Sequence, residues 1–162
     1  MCAYDPVSYH NGTVWPHDNA LLVAGLMRYG FAAPAQRIAE ALLEAAEHFG
    51  GRLPELFCGF DRGEFPEPVP YPTSCSPQAW ASATPIQLLR TLLRFDLELP
   101  QGRLSVDPVL PPAFAPLRVE GVAVGAGRVN VEVTGDLRRV EGVPSGIELR
   151  CESCRPEGSL PA

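Results

Sequence analysis

Between residues 8 and 19 the chain reads SYHNGTVWPHDN. Tyr9, His10, Asn11, Trp15, His17 and Asp18 crowd this short run, spaced only by Ser8, Gly12, Thr13, Val14 and Pro16. Aromatic planes beside hydrogen-bonding groups suit a sugar ring, whose C–H face stacks on indole or phenol while its hydroxyls take fixed donors and acceptors. The plain alternative is that Tyr9 and Trp15 plug a core and their polar neighbours cap the helix that follows. Further along, GGRLPELFCGFDRGEF carries Glu55, Asp61 and Glu64. Glu55 stands among Leu53, Pro54, Leu56 and Phe57, partly apolar surroundings that favour a neutral carboxyl and suit it to proton transfer. Asp61 and Glu64 fall in a polar turn. For Glu55 too a plain alternative exists, a surface glutamate in a loop.

These residues need elements to hold them. From Pro16 the pattern PHDNALLVAGLMRYG is apolar on nearly every face, with proline at its start, Asp18 in its first turn and Gly30 as a stop, which predicts a buried helix. PAQRIAEALLEAAEHFGG predicts a half-exposed second helix, with Ala35, Ile38, Leu42, Ala45, Ala46 and Phe49 on one stripe and Arg37, Glu40, Glu44 and Glu47 on the other. Residues 50–76 break all periodicity with prolines and glycines, and a loop that long in a compact domain is functional or disordered; its aromatics and cysteines favour order. A third, mostly apolar helix is expected from Pro77 to Phe95, kinked or restarted at Pro85. If the three helices run up, down and up, the opening stretch and the 50–76 loop share one end of the bundle. Beyond residue 100, LRVEGVAVG, RVNVEVTG and GIELRCE alternate apolar with polar residues and read as short antiparallel strands, with a hairpin turn at Gly125-Ala126-Gly127. CRPEGSLPA reads as a frayed tail.

Composition narrows the classes of function. With 162 residues, 46% of them hydrophobic, the chain can bury a core. Its 19 acidic residues outnumber 13 basic ones, all arginine, for a net charge of −6, which makes nucleic acid and anionic membranes unsuitable partners. No apolar run reaches the roughly 18 residues of a membrane span, and no leader peptide is legible. Five cysteines, Cys2, Cys58, Cys75, Cys151 and Cys154, are an odd set at irregular spacing, which argues against a disulfide framework and for a reducing, cytoplasmic compartment. Cys151-x-x-Cys154 has neither a second pair nor a nearby histidine to complete a zinc site, so no metal or cofactor is expected.

Three motifs in order, YDPVSYHNGTVWPHDNALLVAGLMRYG, GRLPELFCGF and SPQAWASATPIQLL, resemble the C-terminal part of bacterial glycogen-debranching-type amylo-α-1,6-glucosidases. These belong with the six-hairpin toroid glycosidases that include trehalase-like and mannosylglycerate-hydrolase-like enzymes. LSVDPVLPPAFAPLRVEGVAVGAGRVNVEV is similar to the β-rich segment ending those chains. The resemblance implies a mainly α fold: the C-terminal fragment of an (α/α)6 toroid, about one and a half helical hairpins over residues 1–99, then a small antiparallel β appendage over 100–153 and a disordered tail over 154–162. It implies inverting hydrolysis of α-glucan oligosaccharides by two carboxyl groups about 6.5 to 9.5 Å apart. On the matching positions Glu55 looks like the general base, Tyr9, His10, Trp15, His17 and Asp18 like sugar contacts, and Gln78 and Trp80 like residues closing the same pocket. The family's general acid has no counterpart here, and the abrupt opening reads as truncated, so the missing N-terminal portion of such an enzyme is the expected partner. The competing expectation is a helical module that is inert or only binds carbohydrate.

Overall fold

The computed structural model describes residues 4–154 and divides the chain into two compact units, residues 1–89 and 90–162. Of the tail expected over residues 154–162, Cys154 is described and the rest lies outside the described residues.

In the first unit, α1 (Pro16–Arg28) begins on its proline and ends where Tyr29 and Gly30 turn the chain, Gly30 taking the positive φ of 83° that closes a helix without a side-chain clash. Three residues later α2 (Ala32–His48) starts, two residues before the expected Pro34, because Ala32 and Ala33 propagate a helix readily. The two helices pack on each other, α1 through Ala20, Val23 and Met27, α2 through Ala35, Ala39, Leu42, Ala45 and Ala46. Small alanines on α2 allow close approach. The expected buried character of α1 is only half met, since Leu21 is 64% and Leu22 50% exposed. An all-round apolar helix is buried only if every face is covered, and these two residues are at best half covered among the described residues.

Residues 50–76 form the ordered loop expected of their aromatics and cysteines. Phe57 bridges Val14 on one side and Pro70 on the other, both antiparallel, with Val14 N–H to Phe57 O at 2.8 Å and Phe57 N–H to Val14 O at 3.1 Å. Cys58 N–H donates to Val69 O and Gly59 N–H to Pro6 O, each at 2.9 Å. The segment around Glu55 is thereby pinned between the opening stretch and residues 69–75. Leu53 and Leu56 are fully buried beneath it, and Leu53 and Phe57 join Ala45, Ala46 and Ala81 in one cluster. The expected third helix is broken, as Pro85 dictates, into α3 (Ala79–Ser82) and α4 (Thr84–Leu92), and α4 carries the chain into the second unit.

The second unit is built of strands. β3 (Leu117–Val124), β4 (Gly127–Thr134) and β5 (Leu137–Glu141) form an antiparallel meander, with the β3–β4 turn at Gly125-Ala126 since Gly127 already pairs with Val124. Val129, Val131 and Val133 alternate inward, and Arg128, Asn130 and Glu132 outward. Gly121, at φ 73°, makes the bulge where the register of β3 shifts between Val119 and Val122. A second sheet joins β1 (Asp96–Glu98), β2 (Arg103–Ser105) and β6 (Glu148–Arg150), with β2 antiparallel to β1 and parallel to β6.

The expectation of a mainly α toroid fragment with an antiparallel appendage is therefore overturned. The described chain is 32% helical and 22% strand, a mixed α/β protein. Its strands form two sheets in a unit of their own, and one sheet contains a parallel pair. The helices offer one packed pair and a broken third element, short of what any ring of hairpins requires. Cys151 and Cys154 are paired in a disulfide, which the irregular cysteine spacing gave no reason to expect. Among the described residues no helix is long and apolar enough to cross a membrane, and no three His, Cys, Asp or Glu side chains gather as a metal site.

Candidate functional site

Glu55 sits at the centre of the polar residues in the first unit. Tyr9 Oη donates to Glu55 Oε1 at 2.8 Å, and the Cys75 backbone N–H donates to Oε2 at 3.4 Å. The Glu55 backbone N–H is held by Cys75 O at 2.9 Å, so main chain and side chain are fixed by the same neighbour. Gln78 also hydrogen-bonds the carboxylate, and His17 is close enough to act on it through charge. The Tyr9 hydroxyl does most to hold Glu55 below its ordinary carboxylate value; partial burial opposes this, and the Cys75 N–H, Gln78 and His17 reinforce it. The same bond raises the Tyr9 phenol above its ordinary value, since ionising it would set two anions side by side.

That outcome corrects the sequence reading of Glu55. Leu53 and Leu56 are apolar neighbours in sequence, but both are buried under the segment, while the half-buried Glu55 side chain meets donors. The surroundings favour the carboxylate, not the neutral acid.

A set of rings surrounds this centre. Tyr9 meets Trp15 edge-on with centroids 4.9 Å apart, and Trp15 lies parallel to His10 at 5.8 Å. Trp15 Nε1 donates to Tyr9 O at 3.2 Å and Thr13 Oγ1 at 3.1 Å, which locks the indole onto its own loop. His17 stacks on Trp80 at 3.8 Å with planes 19° apart, and Trp80 is 52% exposed. His17 Nε2 lies 3.3 Å from Asp18 Oδ1, and its Nδ1 is buried without a hydrogen-bond partner among the described residues, as is Gln78 Oε1. Two sequestered polar atoms beside one carboxylate are places where ligand hydroxyls would recover lost hydrogen bonds.

Of the residues singled out by sequence, Tyr9, His17 and Gln78 are brought to Glu55, with Trp15, His10 and Trp80 joined to them ring by ring. Asp18 pairs with His17 and is largely exposed to solvent. Asp61 and Glu64 belong elsewhere: Asp61 Oδ1 accepts the Gly63 N–H at 2.7 Å and its carbonyl the Glu64 N–H at 3.1 Å, a turn-forming role. Sequence reasoning missed Tyr71, whose ring stands 5.8 Å from Tyr9, and the Cys75 backbone. Tyr71 lay within the loop marked as functional, where an aromatic among prolines was its only signal.

Compared with protein-family models and with curated proteins, the chain matches none of them.

Proposed function

We propose that the first unit carries the general-base half of an inverting glycoside-hydrolase site, with Glu55 as the base and α-glucan oligosaccharides as the ligand. The observation that carries this reading is a carboxylate kept ionised by Tyr9, Cys75 N–H and Gln78 in the midst of Tyr9, Trp15, Tyr71, His17 and Trp80. A base must be unprotonated at working pH and able to reach a water, and rings beside orphan polar atoms suit sugar faces and hydroxyls. The resemblance of the three sequence motifs to debranching-type glucosidases points the same way. In the reaction, Glu55 takes a proton from water as that water attacks the anomeric carbon, and the glycosidic bond breaks with a proton delivered to the leaving oxygen by a separate acid. Among the described residues no second carboxyl acts on Glu55, and this reading assigns the acid to a companion protein portion. The free thiols Cys58 and Cys75 suit a cytoplasmic protein, while the Cys151–Cys154 disulfide pulls the other way.

Titrating the chain with an α-1,6-linked gluco-oligosaccharide while following fluorescence from Trp15 and Trp80 tests this reading. Saturable quenching is expected, weakened in Trp80→Ala, with no glucose released by this chain alone. Absence of binding at millimolar sugar would overturn the reading. Turnover that disappears in Glu55→Gln would keep the base and move the acid into this chain. Binding without turnover, even when a companion supplying an acid is present, would leave a carbohydrate-binding module and remove Glu55 as a base.

A further inference from the structure

A second concavity in the first unit is untouched by the Glu55 cluster. It is a half-open groove of about 470 Å³ between α2 and the 57–69 segment, within the usual range for small-molecule sites. Ile38, Leu42, Phe57, Phe60, Phe65 and Val69 line it. Leu42 and Phe57 are buried as its floor, and Phe60 and Phe65 stand together on one wall, ring centroids 4.5 Å apart. Neither Tyr9 nor Glu55, Trp15 or Trp80 borders it.

Its charged lining is uneven. Arg62 pairs with Glu44 at 2.6 Å, and His48 approaches Glu67 at 3.9 Å. Arg37 also lines the groove, one turn of α2 before Ala41 and Leu42, yet it has no ion-pair or hydrogen-bond partner among the described residues. An apolar trough edged by one guanidinium left without a carboxylate is complementary to an apolar body bearing one anionic group. A neutral hydrocarbon would leave Arg37 as it is. A polyanion would meet Glu44 and Glu67.

We propose that this groove binds a small amphipathic monocarboxylate, its alkyl chain along Phe57, Phe60 and Leu42 and its carboxylate on Arg37. The alkyl chain supplies most of the affinity by leaving water, and Arg37 supplies the preference for an anion. The site is separate from the proposed sugar site and stands or falls without it.

The test is calorimetric titration of the full chain at low salt with octanoate, 1-octanol and butyrate, octanoate kept below its micelle concentration. Octanoate is expected to bind about five- to tenfold more tightly than 1-octanol, the effect of one charge-assisted contact, and butyrate not detectably. Arg37→Gln should bring octanoate down to the level of 1-octanol. Ala41→Trp, at an exposed position of α2 that faces the groove, should abolish both while circular dichroism shows an unchanged fold. Glu55→Gln should bind octanoate as the parent does. Equal affinity for octanoate and 1-octanol, no binding of either, an Arg37→Gln variant that keeps the preference, or a folded Ala41→Trp variant that keeps the affinity would each overturn the proposal.

Discussion

The two units are put together by different rules. In the meander of the second, Val129, Val131 and Val133 of β4 alternate inward and the ladder to β3 and β5 follows from that period, so its structure is set mostly by neighbours in sequence. In the first, the segment around Glu55 is held by single bridges to Val14 and Pro70 and by backbone bonds to Cys75, partners 20 or more residues apart on either side for Cys75 and Val14. Regular alternation makes a scaffold, whereas the candidate site arises where irregular segments are pinned by long-range contacts. This is the ordinary division between rigid elements and the loops that carry chemistry.

The comparison breaks if the units cannot be damaged separately. Val131, 1% exposed, is central to the second unit's core, and Val131→Asp would bury an unpaired carboxylate at a cost of several kcal/mol. The expected result is loss of the strand signal in far-ultraviolet circular dichroism while the near-ultraviolet signal of Trp15 and Trp80, both in the first unit, persists. Simultaneous loss of both would show that the first unit has no stability of its own.

Within the first unit, Gly59 is the next most sensitive point. A Cβ there would run into the Gly12 carbonyl and crowd the Tyr4 hydroxyl, which hydrogen-bonds Gly59 O. Gly59→Ala should therefore cost on the order of 1–3 kcal/mol and, by pushing the opening stretch away, weaken the Tyr9–Glu55 contact. Gly121 in the second unit is the matched control, because a Cβ there meets nothing and only its φ of 73° resists a side chain. Gly121→Ala should cost about 1 kcal/mol and leave sugar binding alone. Chemical denaturation of both variants, with the tryptophan titration beside it, makes the measurement; equal costs would mean the close approach of Gly59 to Gly12 is not a structural constraint.

How much of this was legible follows the same division. Pro16 and Gly30 marked α1, the stripe from Ala35 to Phe49 marked α2, Pro85 marked the break before α4, and valine alternation marked β3 and β4, all of them local signals. β5 went unread because Leu137-Arg138-Arg139-Val140-Glu141 puts two arginines where alternation should show, and β6 was expected to pair antiparallel because no local pattern announces its parallel partner β2, some forty residues earlier. The site was legible as composition, Tyr9, Trp15, His17 and Glu55, but the ionisation of Glu55 was not. That depends on Tyr9 and Cys75 arriving from opposite directions along the chain, while sequence displays only Leu53 and Leu56, which face away into the core. The expectation of a mainly α toroid fragment erred by reading the strands as a small appendage, when they form two sheets in a unit of their own.

The smallest expected effect is also the most specific to the site, and it concerns the Tyr9–Glu55 bond. Glu55 titrates below its ordinary value when folded, so it adds stability above the unfolded carboxylate value of about 4.3, and that contribution is lost as pH falls through the lower folded value. Tyr9 is shifted the other way. Its neutral form is favoured when folded, so its contribution is complete below the unfolded phenol value of about 10 and is lost as pH rises through the higher folded value. Both shifts have the same leading cause, the 2.8 Å bond from Tyr9 Oη to Glu55 Oε1, and Tyr9→Phe removes that bond while keeping the ring. The stability difference between the parent and Tyr9→Phe should then be flat from about pH 5 to about pH 9, shrink below that window as Glu55 takes its proton, and shrink above it as Tyr9 gives up its own. Val140→Ala in the second unit removes buried methyl groups and no titrating atom, so its stability difference should not follow either edge of the window. A Tyr9→Phe difference that stays level down to pH 3 would mean that Glu55 is not held as a carboxylate by Tyr9, and the candidate base would lose the contact that keeps it ionised.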